Sequence, residues 1–182
     1  MSLLIVAAFV FTGNSAAAES AQHILVTPSS TAFSIDPGAK KAGSLSVINE
    51  GDSPFIVDVS SSPYHVEGLH YDPKFTQLPG TTDASQWVTF TSQTSQTVDA
   101  RKLTNIDYTV TVPAGTAPGG YYAVIFAETS PTESSAGVVA HNRVGDILYI
   151  TVNGDVKAAG AARSIVLPSV ITAPSTKLGV IV

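Results

Sequence analysis

The chain has 182 residues, a net charge of −5 and no cysteine, which excludes disulfides, a zinc–thiolate site and a cysteine nucleophile. Its nine Lys and Arg residues are scattered, so no basic face is available to displace the counterions of a nucleic acid. Hydrophobic residues make up 44% of the sequence and charged residues 13%, against roughly 25% charged in a typical domain. The chain can therefore bury a core, but its surface is polar rather than ionic.

The N-terminal segment predicts export. Residues 3–11 form an apolar run, and Ala16 and Ala18 supply the small side chains that signal-peptide cleavage requires. We predict a signal peptide over residues 1–18 and an exported protein at the cell surface or in the periplasm of a bacterium. The apolar run is too short to span a membrane, which needs about 20 apolar residues. The alternative to a signal peptide is therefore the start of a buried strand or helix. The first two residues lack Lys or Arg, so we expect the chain to be a fragment of a longer exported protein.

Short alternating runs between turn signals predict strands along the rest of the chain. The first two strands are predicted at residues 23–28 and 32–38, and the next two at residues 44–49 and 55–60. Residues 49–54, Asn-Glu-Gly-Asp-Ser-Pro, are turn formers and predict a hairpin between the latter two strands.

The middle of the chain contains one segment without a steady period. Residues 64–85 mix aromatic, Gly, Pro and polar side chains, and we interpret them as a long irregular connection. Residues 86–92 predict a strand. The cleanest alternation follows, with four apolar side chains on one face of a strand: Ile106, Tyr108, Val110 and Val112. One face of this strand is expected to be buried in the core and the other exposed to solvent, as a two-layer sandwich requires.

Residues 112–120 are rich in Gly and Pro and predict a corner between strands of different sheets. The predicted corner residues are Pro113, Pro118, Gly119, Gly120, Tyr121 and Tyr122. The two prolines fix φ and cannot extend a ladder, while the two glycines permit the positive φ of a sharp bend. Either tyrosine could bond back to nearby backbone, as in the tyrosine corner of immunoglobulin-like folds.

The remaining strands complete one unit. Residues 121–129 are nearly all apolar and predict a central strand, and residues 144–152 predict the last strand. We therefore predict an all-β, immunoglobulin-like, two-sheet antiparallel β-sandwich over residues 22–154. Residues 155–163 are interpreted as a linker, and residues 164–182 as the start of a second, incomplete strand region.

Three stretches together resemble a known group of domains: IDPGAKKAGSLSVINEGDSPFIVDV, VDARKLTNIDYTVTVPAGTAPGGYYAVIFAE and VGDILYITVNGD. They are similar to exported bacterial Ig-like domains, in particular the peptidoglycan-binding domain of WxL-interacting cell-surface proteins. The shared pattern is a Pro-Gly before the first core strand, an N-x-G turn and a V-P-x-x-x-x-P-G-x-Y corner. The resemblance covers residues 33–154 and implies the fold and peptidoglycan binding, although the chain contains no WxL motif.

A group of predicted ligand-binding residues lies in or beside the irregular segment: Tyr64, His65, Tyr71, Phe75 and Trp87. Aromatic faces with a few polar groups commonly hold sugars, and long loops on a rigid sandwich carry binding sites. Trp87 is equally well interpreted as the core tryptophan of a sandwich.

Catalytic signals are weak. His65, Glu67, His70 and Asp72 are ligand types for a divalent ion, but their spacing is not that of a helical metal motif and favours a solvated loop. The chain has no G-x-S-x-G nucleophile elbow. We predict no enzyme, no cofactor and no metal site.

These observations predict a non-catalytic envelope module that binds cell-wall polysaccharide, meaning peptidoglycan, or another envelope protein, and no nucleic acid. One alternative is a structural spacer of a longer surface protein, with a membrane tether in a missing C-terminal part. A second is a chaperone-like module that offers a strand edge to a partner. A third is an enzyme with a metal at His65 and His70.

Overall fold

The computed structural model describes residues 23–130 and 141–156, together with two short strands, Ser164–Val166 and Gly179–Ile181, which pair antiparallel. The predicted signal peptide lies outside the described residues, as do most of the predicted linker and most of the predicted C-terminal strand region. The predicted domain boundaries therefore stay predictions.

Two packed sheets form an immunoglobulin-like sandwich, which confirms the predicted fold class. In spatial order, the four-stranded sheet consists of Ile24–Thr27 (β1), Lys40–Asn49 (β3), Leu103–Thr111 (β9) and Val88–Phe90 (β7). In spatial order, the five-stranded sheet consists of Ser30–Ile35 (β2), Arg143–Val152 (β11), Gly119–Thr129 (β10), Phe55–Pro63 (β4) and Ser95–Val98 (β8). This arrangement corresponds to the A-B-E-D and G-F-C sheets of the immunoglobulin fold, with one short strand added at each edge of the second sheet.

The chain crosses between the sheets on both sides of the sandwich. It passes from β1 to β2 at Pro28 on one side, and from β7 to β8 on the other. One strand pair departs from the antiparallel arrangement of the sandwich, because β2 runs parallel to β11. This follows from the crossover, since β2 continues in the direction of β1 after changing sheets.

Alternating side chains from both sheets fill the core. The predicted dry face of β9 is confirmed, because Ile106, Tyr108, Val110 and Val112 are buried while Asp107 and Thr111 are exposed. Buried side chains facing them from the other sheet include Val57, Ile125, Leu148 and Ile150. β10 is the middle strand of its sheet, as its apolar sequence predicted.

The predicted hairpin at residues 49–54 is wrong. β3 and β4 belong to different sheets, so these residues cross the end of the sandwich instead of joining two neighbouring strands. The buried Asn49 side chain holds the turn, donating to the carbonyls of Ser53 and Val98 at 2.9 and 3.0 Å and accepting from the Gly51 amide at 2.9 Å.

The predicted corner does join strands of different sheets, β9 and β10. The Tyr121 hydroxyl donates to the Ala117 carbonyl at 2.8 Å, so Tyr121, rather than Tyr122, bonds back to the backbone. Gly119 has φ +151°, and Gly115, which the sequence did not single out, has φ +83°. The positive φ expected of Gly120 is wrong, because Gly120 is an ordinary strand residue paired with Thr151.

Residues 64–85 are more regular than predicted. His65–Glu67 (β5) and Asp72–Lys74 (β6) form a small antiparallel hairpin, and Ala84–Trp87 form a 3₁₀ helix whose first residue follows the capping side chain of Asp83. The strand predicted at residues 86–92 is wrong in extent, because it is β7 and runs only from Val88 to Phe90.

Candidate functional site

The β5–β6 hairpin lies over the outer face of the five-stranded sheet. The Phe75 ring, just after β6, meets the Phe126 ring of β10 edge-on, with 4.9 Å between the centroids. The Tyr64 ring, just before β5, lies 6.1 Å from Phe75. Val124 and Phe126 point away from the main core, yet both are buried because the hairpin covers them. The hairpin therefore adds a small second apolar layer to the sandwich.

Gly145 makes room for this layer. A Cβ atom at Gly145 would lie 2.9 Å from Val124 Cγ2 and 3.1 Å from Phe126 Cδ1, closer than side-chain carbons normally approach. Arg143 also contacts Phe126, since its guanidinium lies over the ring, 4.8 Å from the centroid, and donates to Glu128. Phe126 thus contacts both the hairpin and a cation.

An open groove remains between the hairpin and the sheet, and we call it the aromatic groove. Its volume is about 540 Å³, and it is lined by Tyr64, His65, Val66, Tyr71, Tyr122 and Tyr149. Tyr122 and Tyr149 are directly opposite each other on β10 and β11, with ring centroids 5.8 Å apart and ring planes nearly perpendicular. Tyr71 is 74% exposed and has φ +56° in the hairpin turn. Four tyrosine rings thus converge on one concave surface.

Exposed apolar side chains concentrate around this groove. Of the eleven large hydrophobic side chains exposed in the described part of the chain, seven lie on the hairpin, just after it or on the sheet face beside it: Val66, Leu69, Tyr71, Phe75, Leu78, Tyr122 and Tyr149. Exposed apolar side chains grouped in one region of a surface are typical of a ligand-binding or protein-binding site.

The structure brings some of the predicted site residues together and separates one of them. Tyr64, His65 and Tyr71 line the aromatic groove, and Phe75 supports it from the adjoining cavity. Trp87 does not belong to the groove, because its side chain is buried in the core, 5% exposed, and its ring lies 4.8 Å from that of Tyr121. The open choice between core and rim is thereby settled in favour of the core.

Sequence reasoning did not assign Tyr149 to the site, and it placed Tyr122 only at the corner. The alternation of buried and exposed positions along β10 and β11 could have indicated that both side chains point outward. Tyr122 precedes the buried Ala123, and Tyr149 lies between the buried Leu148 and Ile150, so both tyrosines occupy outward positions. That they face each other follows from the register of β10 and β11, which the sequence does not reveal.

The four candidate metal ligands do not converge. His65 Nε2 lies 3.2 Å from Glu67 Oε1, an ion pair if the imidazole is protonated, while Asp72 is exposed on β6. In the part of the chain that the structure describes, no group of three or more His, Asp or Glu side chains could hold a metal ion. The same residues contain no helix long and apolar enough to cross a bilayer.

A buried carboxylate lies on the other face of the five-stranded sheet. Asp146 points into the core, is fully buried, and accepts a hydrogen bond at 2.8 Å from the Thr31 hydroxyl to its Oδ2. Burial raises the pKa of Asp146 to about 6, against the opposing effects of the Thr31 and Tyr108 hydroxyls, which favour its charged form. Burial, followed by the neighbouring Asp146 charge, raises the pKa of Tyr108 to about 12. This pair was not predicted, although the sequence signal for it is an Asp at an inward position of an otherwise apolar strand.

Comparison with solved structures identifies the fold. An ASH / PapD-like domain of human CEP192 (PapD-like domain 7) superposes with a TM-score of 0.51 and 18% identity, over 85% of this chain and 99% of that domain. The chain has an immunoglobulin-like, PapD-like β-sandwich fold. The class 5 fimbriae chaperone CfaA superposes with a TM-score of 0.50 and 9% identity, over 74% of this chain and 59% of the chaperone. No protein-family model matches the sequence, and neither does any curated protein.

Proposed function

We propose that this protein is a non-catalytic binding module of the bacterial cell envelope that acts outside the cytoplasm. The aromatic groove is its recognition surface, and peptidoglycan is its ligand. The observation that carries this proposal is the convergence of Tyr64, Tyr71, Tyr122 and Tyr149 on one concave, partly exposed surface. The resemblance to exported peptidoglycan-binding domains supports it.

The chemistry of the groove suits a sugar chain. Tyrosine rings provide flat apolar faces for the C–H surface of a pyranose, and their hydroxyls can bond to sugar hydroxyls or amides. None of the six lining residues is Asp, Glu, Lys or Arg. The groove therefore favours an uncharged backbone, such as a glycan strand, over a highly charged polymer.

Sedimentation with purified peptidoglycan sacculi tests the proposal. We expect the protein to co-sediment, and Tyr122→Ala/Tyr149→Ala to remain in the supernatant. Leu25→Ala/Leu103→Ala is the matched control, because it removes two exposed apolar side chains from the four-stranded sheet. If both double variants co-sediment like the original, the groove is not the site. If the original protein stays in the supernatant, peptidoglycan is not the ligand, and the spacer alternative is favoured.

A second candidate function is strand-edge binding of a protein partner, as in the chaperone-like alternative. CfaA, which shares the fold, is a fimbriae chaperone. In this protein β2 is the longest of the four edge strands and contains no charged residue or proline, the features that usually protect an edge. Among the described residues, no strand pairs with its outer side.

The edge candidate has its own test. The Ser29 and Ile35 carbonyls face β11, so the amide of Ala32 faces outward. Ala32→Pro removes that donor without breaking the ladder to β11. We expect a partner bound by strand addition to co-purify from periplasmic extract with the original protein and not with Ala32→Pro. Equal recovery with both proteins would argue against this edge.

A further inference from the structure

The buried carboxylate of Asp146 has only one of its oxygens satisfied. Thr31 donates to Oδ2, whereas among the described residues Oδ1 and the Tyr108 hydroxyl make no hydrogen bond of good geometry, although the nearby Tyr108 hydroxyl still favours the charged carboxylate and so lowers its pKa. A buried charge without full compensation is costly, so this arrangement requires an explanation.

Asp146 lies at the side of the sandwich where the chain changes sheets. The next residue, Ile147, pairs with Ser30 at the start of β2, and its amide donates to the Ser29 carbonyl at 3.1 Å. Thr31 is therefore a side-chain link between this end of β2 and the carboxylate. At the far end, the Ser34 hydroxyl donates to the Asn153 side chain at 2.7 Å. Besides its backbone ladder to β11, β2 is held by a side-chain hydrogen bond near each end, and the acceptor of one of these bonds is the ionisable Asp146.

The groups that face Asp146 cannot neutralise it. β9 contributes Tyr108, whose raised pKa of about 12 keeps its hydroxyl neutral at physiological pH, and β2 contributes the uncharged Thr31. No ion pair in the described residues includes Asp146. The two hydroxyls offset the burial of the carboxylate only in part, so hydration would stabilise its charged form further. Thr31 bonds the carboxylate from the start of β2, and separation of this end of the strand would admit water.

We infer that β2 is a releasable edge strand, and that the charge on Asp146 controls whether it stays attached to β11. With Asp146 protonated, β2 is closed and presents its own edge. With Asp146 ionised, the first residues of β2 separate, water reaches the carboxylate, and the edge of β11 is exposed. The charge on Asp146 would therefore decide whether a partner strand meets the edge of β2 or the edge of β11. The biological use of this switch rests on the strand-edge function proposed above, but the switch itself does not.

The expected size of the effect follows from linkage. An open state that hydrates Asp146 restores its ordinary acidity, so opening becomes easier as pH rises from the ordinary carboxyl pKa of 3.8 to about 6 and then levels off. Between pH 5 and pH 8 the opening equilibrium should increase about tenfold. β2 is expected to open before the inner strands of its sheet, β11, β10 and β4, because it pairs along one side only.

Hydrogen exchange of the purified protein, without any partner, tests this inference. We expect the amides of Thr31 and Phe33, after correction for intrinsic rates, to open about tenfold more at pH 8 than at pH 5, and far more readily than the amide of Ile125 in β10. Asp146→Asn should abolish the pH dependence at β2. Thr31→Val, which keeps the carboxylate, should raise β2 opening at both pH values.

Two results would overturn the inference. One is β2 protection equal to that of β10, which would mean that β2 opens only when the whole domain unfolds. The other is β2 opening that is the same at pH 5 and pH 8 in the original protein. Neither result depends on partner capture, so failure of the strand-edge function and failure of this control can be told apart.

Discussion

The Phe75 ring meets the Phe126 ring edge-on at 4.9 Å, and this contact fastens the β5–β6 hairpin to the outer face of the five-stranded sheet. Phe75 lies at one end of the hairpin and Phe126 at the middle of β10. The floor of the aromatic groove belongs to the central strands of the sandwich, while its wall is attached to them in part through this aromatic pair. The stability of the hairpin and the binding function are expected to be linked through this pair.

Phe75→Ala should release the hairpin. Because Phe75 is 41% exposed, the expected loss in the free energy of unfolding is about 2 kcal/mol, below that of a fully buried phenylalanine. Urea denaturation measures this loss, and limited proteolysis should show earlier cleavage within residues 65–74. Leu103→Ala, which removes an exposed side chain elsewhere, should change neither measurement. Unchanged proteolysis of Phe75→Ala would mean that other contacts hold the hairpin.

Gly43→Ala should destabilise the protein by about 1–3 kcal/mol through overpacking. A Cβ atom at Gly43 would lie 2.5 Å from Tyr108 Cζ, and the two residues are directly paired on β3 and β9. The matched control is Gly120→Ala, also in a strand, where the new Cβ would lie 3.1 Å from the exposed Tyr122 hydroxyl, which can move. Thermal denaturation compares the two variants, and equal effects would contradict the close-packing argument.

Tyr121→Phe should cost about 1 kcal/mol, because it removes the hydroxyl that donates to the Ala117 carbonyl and ties the corner to β10. Tyr122→Phe removes the neighbouring hydroxyl, for which no such backbone bond exists in the described residues, and should leave stability nearly unchanged. Chemical denaturation of both variants decides the point. A larger loss of stability for Tyr122→Phe would mean that Tyr122, and not Tyr121, makes the hydrogen bond that holds the corner.

The pH dependence of stability should reveal Asp146. Its pKa is raised in the folded state, so its favourable contribution is complete below about pH 3.8 and is lost as pH rises toward about 6. The test compares the protein with Asp146→Asn, so that only the contribution of Asp146 is measured. The difference between their free energies of unfolding should shift by about 2 kcal/mol in favour of Asp146→Asn between pH 4 and pH 7. A constant difference would show that Asp146 ionises normally.

Part of the candidate site could be predicted from the sequence. Tyr64, Tyr71 and Phe75 occur in one segment, and the absence of a regular period marked that segment as a binding loop. Tyr122 and Tyr149 could not be added, because they meet only through the register of β10 and β11. Trp87 was uncertain because alternation shows that two faces differ, not which face is covered.

The fold shows the same division. The turn residues from Asn49 to Pro54 correctly indicated a change of direction, but they could not show that β3 and β4 enter different sheets. The partners of β3 are β1 and β9, and β9 is far along the chain. Turn chemistry is local, whereas the choice of a strand's neighbour is not.

The sequence by itself determined most strands of the two large sheets, the buried face of β9 and the corner at residues 112–120, because side-chain alternation and the dihedral limits of Gly and Pro act within a few residues. Only the tertiary structure decided that β2 runs parallel to β11, that Asp146 is enclosed, and that four tyrosines share a groove. Each of these depends on the pairing and register of strands that are distant in the chain. A local pattern carries no information about the distance between such residues.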